Sequence, residues 1–149
     1  MNPLVLASSF FGTVAFSILY SIPPKYYFAC GCNGLLGWIV YQLAIPYFGD
    51  TVAIFLTTIA LYLYARIMAV RLKCPEIVFL LAGIFPIVPG AGIYWTAYYL
   101  VAGNMDAASV AGSGALRACM AMVFGIAIVY ELPGWLFTGK RPKKIDKKV

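Results

Sequence analysis

Long apolar stretches alternate with short polar segments along the chain, and five of the stretches are long enough to cross a membrane. They cover residues 3–22, 26–47, 51–70, 77–103 and 116–137. Because an α-helix rises about 1.5 Å per residue, about 20 apolar residues suffice to cross a hydrocarbon core about 30 Å thick. The pattern predicts an all-α polytopic membrane protein with five transmembrane helices.

The composition argues against a soluble globular fold. Of the 149 residues, 63% are hydrophobic and only 11% are charged, and the mean hydropathy is +0.89. A soluble domain needs a larger polar fraction to cover its surface. We therefore expect residues 1–139 to form a single transmembrane domain and residues 140–149 to form a basic cytoplasmic tail.

Basic residues cluster on one side of the predicted five-span arrangement. Arg117 alone falls on the opposite side, and the other ten fall together: Lys25, Arg66, Arg71, Lys73, Lys140, Arg141, Lys143, Lys144, Lys147 and Lys148. Since cytoplasmic loops carry the excess of Lys and Arg, we expect the N-terminus outside and the C-terminus inside. The chain is predicted to be a multi-pass protein of the plasma (cytoplasmic or inner) membrane. Its tail is expected to contact anionic lipid and not nucleic acid.

The fourth apolar stretch contains a segment that an unbroken helix would not tolerate. Residues 85–94 read Phe-Pro-Ile-Val-Pro-Gly-Ala-Gly-Ile-Tyr. Proline removes a backbone donor and glycine loosens the helix, so several backbone groups lose their partners where lipid cannot replace them. Broken helices of this kind occur at transporter substrate sites. The alternative is a simple proline kink whose free groups are satisfied by neighbouring helices.

The fifth helix has two candidate starting points, and they place Arg117 differently. The apolar stretch begins at Leu116, but Asn104, Met105 and Asp106 form a segment typical of a helix cap. If the helix starts at Asp106, Arg117 lies about 16 Å along it and within the membrane. An arginine at that depth needs a partner, which would be Asp106, Asp50 or the carboxylate of a substrate.

Three carboxylates are candidates for ion coupling, namely Glu76, Glu131 and Asp106. Glu76 follows a proline at the start of the fourth helix, where a carboxylate also stabilises the positive end of the helix. Glu131 is expected about two turns before the end of the fifth helix, paired with Arg66 or a tail lysine. The alternative for Glu76 and Glu131 is to accept or relay a proton during transport.

The polar residues do not indicate an enzyme. The acids Asp50, Glu76, Asp106, Glu131 and Asp146 occupy separate segments, and the chain has no histidine. Metal sites and acid–base catalysis need such groups clustered, so a site would have to be completed by a partner. The cysteines Cys30, Cys32, Cys74 and Cys119 are expected to pack and not to form a disulfide framework. We expect no catalytic residue, no metal and no cofactor.

Small residues recur at helical spacing in two places. Gly31, Gly34 and Gly37 lie near the start of the second helix, and alanines 107, 111 and 115 recur every fourth residue near the start of the fifth. Such faces allow neighbouring helices to approach closely. Residues 46–51 are predicted to form a short external turn, in which Asp50 or Thr51 caps the third helix.

The proline-glycine segment and the small five-span architecture resemble the threonine/serine exporter (ThrE) family, and in particular the small membrane half of that family. Residues 83–94 are the specific part of the resemblance. The similarity covers most of the chain and extends to the Pro24-Lys25 turn, to Gly37-Trp38 and Tyr41, and to residues 103–106.

The resemblance implies a two-part exporter. In that family the small half works with a larger membrane half, fused or separate, and the pair exports small carboxylate-bearing metabolites such as serine, threonine or a dicarboxylate such as succinate. This chain corresponds to the small half, so its implied partners are the larger membrane subunit and the small carboxylate substrate. Assembly with further copies of the same chain is a second possibility. If the partner also has five spans, the two halves would face each other with opposite topology.

The resemblance also implies which residues form the substrate path. Pro86, Pro89, Gly90 and Gly92 would expose backbone groups to the substrate. Tyr94 would shape the cavity, and Arg117 would contact a carboxylate. The alternative function is a non-transporting assembly subunit, in which the glycines and other small residues serve only to dock a larger membrane protein.

Overall fold

The computed structural model of this protein describes residues 3–138, and helices account for 87% of them, with no strand in that range. This confirms the all-α prediction. The α-helices are α1 (Pro3–Leu19), α2 (Tyr27–Leu72), α3 (Ile77–Ile84), α4 (Gly90–Val101), α5 (Met105–Tyr130) and α6 (Trp135–Thr138), with 3₁₀ turns at Pro24–Tyr26 and Phe85–Ile87. The predicted basic tail lies outside the described residues.

The long helix α2 contains a break at Gly49. Gly49 has φ 75° and ψ 173°, a conformation essentially confined to glycine, whereas the residues around it stay helical. The predicted turn over residues 46–51 is therefore wrong in extent, because a single non-helical residue redirects the chain. With 46 residues, α2 would measure about 69 Å if straight, more than twice the hydrocarbon thickness. We call residues 27–48 its first half and residues 50–72 its second half.

Helix α5 starts earlier than its apolar stretch. It begins at Met105, and the Asn104 Oδ1 accepts a hydrogen bond of 3.1 Å from the Ala107 N–H, so the earlier of the two predicted starts is confirmed.

The helix ends at Tyr130, because a residue that precedes a proline, here Leu132 before Pro133, is driven out of helical geometry. The predicted position of Glu131, two turns inside the helix, is wrong. Glu131 is the residue that follows the last helical turn.

Helix α2 is central and packs against α1, α3 and α5, while α4 packs mainly on α5. The predicted glycine face allows the close contact with α1. Gly34 lies directly against Thr13, and a Cβ atom on Gly31 would come within 2.5 Å of the Phe10 ring. Gly37 instead faces Leu61 in the second half of α2. The expectation of close helix approach at these glycines is confirmed.

Two buried apolar clusters hold the helices together. The larger one includes Tyr26, Cys30, Tyr62, Phe79 and Val129, and therefore joins α2, α3 and α5. The smaller one is formed by Ile54, Ala118, Ala121 and Met122 between the second half of α2 and α5. Cys30 is fully buried, as expected for a packing residue, and all four cysteines are free thiols.

Apolar helices of membrane-spanning length are present. By length and composition, residues 24–72 and α5 are long enough to cross a membrane, and α3 and α4 would make a third span if the bent pair is counted as one. Helix α1 is apolar but has only 17 residues. These features indicate a membrane protein.

Candidate functional site

Helices α3 and α4 are separated by a break at the proline-glycine segment. The 3₁₀ turn Phe85–Ile87 follows α3, and α4 starts only at Gly90. Val88 and Pro89 have non-helical backbone angles, and the two sides of the break are bent by 51°. Because Pro86 and Pro89 have no N–H group, the helical hydrogen-bond ladder cannot run through this segment. In a membrane, such a pair is either a broken span or a re-entrant loop.

The first turn of α4 presents uncapped N–H groups. No side chain within residues 3–138 caps this turn. Ile93 donates to the Pro89 carbonyl at 3.1 Å, but the N–H groups of Ala91 and Gly92 have no backbone acceptor within residues 3–138. Unpaired N–H groups and the helix dipole together favour an anion at this position. The break thus places a region of positive potential where a carboxylate can bind.

A cavity of about 410 Å³ lies beside this break. Its walls come from α2, from the break and from α5: Gly37, Trp38, Tyr41, Asp50, Ile54, Pro86, Ile87, Pro89, Gly92, Val110, Ala111, Gly114, Ala115 and Ala118. Small-molecule sites typically enclose about 300–1,000 Å³ and have mostly apolar walls with a few polar groups. The cavity has these properties, and the small residues of α5 leave the space open.

Of the described residues that line the cavity, Asp50 is the one that carries a charge. It directly follows the break at Gly49, and its Oδ1 accepts a hydrogen bond of 2.6 Å from the Tyr41 hydroxyl. Tyr41 also contacts the Trp38 ring, with 5.7 Å between the ring centroids. The cavity therefore combines a carboxylate, two aromatic rings and the positive end of α4.

Three of the six residues expected along the substrate path line this cavity, namely Pro86, Pro89 and Gly92. Gly90 begins α4 but is not part of the cavity wall. The Tyr94 side chain is 62% exposed and belongs to a row of aromatic rings on α4. The structure thus brings together the prolines and one glycine of the predicted set.

Arg117 lies on α5 but away from the cavity. Its Nε donates to the Ser113 carbonyl at 3.2 Å. The side chain is exposed and lines an apolar groove between the second half of α2 and α5, beside Phe55 and Met120. Within residues 3–138, Arg117 forms no ion pair with either predicted acid.

Glu76 belongs to a second polar cluster. One carboxylate oxygen accepts a hydrogen bond of 2.8 Å from the Tyr62 hydroxyl, and the other lies 3.2 Å from the Arg66 Nε. Arg66 also donates to the carbonyls of Val129, at 2.6 Å, and Leu132, at 2.7 Å. Arg66 therefore ties the start of α3 and the end of α5 to α2.

Within residues 3–138, the carboxylates of the other two candidate acids, Glu131 and Asp106, are not bonded to either cluster. The predicted Glu131–Arg66 pair is wrong, because within residues 3–138 Arg66 forms its ion pair with Glu76 and donates its other hydrogen bonds to backbone carbonyls at the end of α5. The alternative partners of Glu131, the tail lysines, lie outside the described residues. Asp106 is exposed in the first turn of α5 and lines a groove beside Trp95 and Tyr99.

Sequence reasoning did not assign the polar pair of the cavity to the site. It named Tyr41 within the family resemblance and gave Asp50 as a helix cap or a partner of Arg117, although a carboxylate directly after a glycine at the end of an apolar stretch is a usable indication. It also overlooked Asn33, which is fully buried and donates to the Phe79 carbonyl at 2.9 Å. A lone amide within an apolar stretch is a recognisable mark of function or close packing.

The fold and the cavity together indicate a helical membrane protein with a cavity of small-molecule size beside a bent helix pair. The sequence model of the family described as "Threonine/Serine exporter, ThrE" matches residues 5–131. The chain therefore belongs to the threonine/serine exporter family, a family of transporters, and the resemblance noted from its motifs is confirmed. No curated protein and no solved structure matches the chain.

Proposed function

We propose that this chain is the small subunit of a two-component secondary exporter of small carboxylate-bearing metabolites, either serine and threonine or a dicarboxylate such as succinate. The observation that carries this proposal is the cavity at the α3–α4 break. Pro86, Pro89 and Gly92 line it, and the uncapped first turn of α4 lies at its edge. Broken helices whose N-termini face anionic substrate groups are a recurring device in secondary transporters.

In this proposal the chain crosses the plasma membrane five times. The spans are α1, the two halves of α2, the bent α3–α4 pair and α5. The break at Gly49 supports this count, because it divides a helix that is too long for one span. The distribution of Lys and Arg supports an external N-terminus and a cytoplasmic C-terminus.

This orientation assigns the two polar clusters to opposite sides of the membrane. Asp50 and the cavity lie in the outer half, and the Arg66–Glu76 pair lies on the cytoplasmic side. The 16 residues from Asp50 to Arg66 along the second half of α2 correspond to about 24 Å. In this orientation the buried cluster that includes Tyr26, Tyr62 and Phe79 lies on the cytoplasmic side, where the Tyr62 hydroxyl also bonds Glu76. The structure then corresponds to a state in which the cytoplasmic end of the path is closed.

Transport in this proposal needs no covalent step. The substrate carboxylate binds at the free N–H groups of Ala91 and Gly92. The rest of the cavity wall is mostly apolar and excludes water. Export requires the cytoplasmic cluster to open while the outer side closes. Glu76 takes part in ion coupling only if that opening separates it from Arg66 and Tyr62.

The exposed surface of α4 supports a larger partner. None of its residues is buried, and large aromatic side chains at Tyr94, Trp95 and Tyr98 are about half exposed. A larger membrane subunit packed on this surface would complete the wall of the path. The alternative function, a non-transporting assembly subunit, uses the same surface for docking only.

The test is efflux of labelled serine, threonine and succinate from preloaded cells. The cells express this chain alone, the larger family subunit alone, or both.

A site variant must fill the cavity without disturbing the helix packing. Gly92 is unsuitable, because a Cβ atom there would lie 3.1 Å from the Ala115 Cβ. Gly114 lines the same cavity and has open space around its Cβ position, so Gly114→Leu is the better variant.

Gly12→Leu is the matched control, since Gly12 also has open space around it but lies on α1, away from the cavity. We expect efflux only when both subunits are present, and its loss in Gly114→Leu while the two subunits still co-purify. Intact assembly with no efflux in any arm would instead favour the docking function. Unchanged efflux in Gly114→Leu would place the path elsewhere.

A further inference from the structure

We propose that Asp50, oriented by Tyr41, binds the ammonium group of the substrate and so makes the cavity select amino acids over dicarboxylates. This inference rests on the proposed function, because it assigns a role to two residues of the same cavity. It concerns the choice between the two substrate types that the proposed function leaves open.

The hydrogen bonding of Asp50 leaves acceptor capacity for a ligand. A carboxylate offers about four acceptor positions on its two oxygens. The bond of 2.6 Å from the Tyr41 hydroxyl occupies one of them on Oδ1 and orients the group. Among the residues that the structure describes, no cationic side chain lines the cavity, and the Arg117 side chain lies in a different groove. A cation that enters the cavity is therefore the natural partner of Asp50.

The aromatic rings next to Asp50 favour the same kind of ligand. Trp38 and Tyr41 both line the cavity, with their ring centroids 5.7 Å apart and an interplanar angle of 35°. The faces of such rings attract ammonium groups. The carboxylate and the rings thus form one wall that is suited to a positive group.

The positive end of α4 supplies the complementary contact. The free N–H groups of Ala91 and Gly92 suit a carboxylate, and Gly92 lines the cavity together with Asp50. A zwitterionic amino acid carries one group suited to each of these contacts. A dicarboxylate would instead bring its second negative group towards Asp50, and this repulsion would exclude it.

The experiment compares substrates that differ only in the relevant group. Serine and glycerate are nearly isosteric, because glycerate carries a hydroxyl group where serine has its ammonium group. Efflux of labelled serine, glycerate and succinate is measured in cells that express both subunits, for wild type, Asp50→Asn, Asp50→Glu and Tyr41→Phe. Tyr47→Phe is the control for the tyrosine change, since Tyr47 is 81% exposed and does not line the cavity.

Removing the charge of Asp50 should change specificity and not merely activity. We expect Asp50→Asn to lower serine efflux at low substrate concentration by about tenfold or more, the usual effect of losing a hydrogen bond to a charged group. Glycerate efflux should stay within about twofold of wild type, and succinate efflux should stay equal or rise. Asp50→Glu should recover part of the serine efflux. Tyr41→Phe should shift the serine-to-glycerate ratio in the same direction by a smaller factor.

The outcomes separate this inference from the proposed function. Equal losses of serine and glycerate efflux in Asp50→Asn, with normal co-purification, would show that the Tyr41–Asp50 bond only braces the break at Gly49. Wild-type export of succinate without serine would also overturn the inference, and in both cases the exporter function stands. No efflux of any substrate from wild-type cells would overturn the proposed function and the inference with it.

Discussion

Replacing Arg66 by methionine should destabilise the whole bundle, because Arg66 joins three helices from a nearly buried position. Its side chain is 14% exposed and contacts the Glu76 carboxylate and the carbonyls of Val129 and Leu132. Methionine retains most of the apolar stem but none of the donors. The variant leaves the Glu76 carboxylate and two carbonyls at the end of α5 without this partner.

The size of the effect follows from these contacts. The ion pair counts for only about 1 kcal/mol, because Glu76 is 36% exposed and solvent screens the attraction. Each carbonyl bond from the charged guanidinium contributes about 1.5 kcal/mol. The free energy of unfolding should therefore fall by about 4 kcal/mol. For a chain of this size, that corresponds to a decrease in Tm of about 8–16 °C.

Thermal unfolding of the detergent-purified protein, followed by fluorescence-detected size exclusion, measures this shift. Arg71→Met is the matched control, since Arg71 lies on the same helix but is exposed, and its Tm should change by less than about 2 °C. Arg66→Lys should fall between the two, because a single ammonium group cannot make all three contacts. A decrease in Arg66→Met no larger than that in Arg71→Met would refute the reasoning.

Two further predictions concern the break in α2 and the orientation of the chain. Gly49→Ala should lower Tm by several degrees, because the backbone conformation of Gly49 costs other residues about 1–3 kcal/mol. The control Gly12→Ala, within α1, should not lower Tm. Equal Tm changes for the two variants in the same melting assay would contradict the break at Gly49. A variant whose only cysteine is Cys74 should react with a membrane-impermeant maleimide in inside-out vesicles and not in intact cells, and the reverse pattern would show that the proposed orientation is wrong.

Local sequence features predicted much of the helical structure. Apolar stretches predicted the helices, and proline-glycine pairs predicted where they stop, because these effects act within one or two turns of the backbone. The errors lie at helix ends. The polar start of α5 was placed correctly only through the cap at Asn104, and the turn at residues 46–51 proved to be a single glycine.

The candidate site was predictable only in part. Pro86, Pro89 and Gly92 were expected along the path from the family resemblance, and they line the cavity. The rest of the wall comes from α2 and α5, and its contribution depends on helix rotation and distance. Arg117 was a reasonable candidate by depth along its helix, but the rotation of α5 places it in another groove.

The sequence by itself determined that this protein is apolar, helical and broken at residues 85–90, and its motifs carried the family resemblance. These properties arise from composition and from local backbone chemistry. Only the tertiary structure decided that Arg66 pairs with Glu76 and that Tyr41 donates a hydrogen bond to Asp50. It also decided that Tyr41 and Asp50 line the same cavity as the start of α4. Contacts between separate helices depend on how side chains interlock across their surfaces, and this is a property of the packed bundle as a whole.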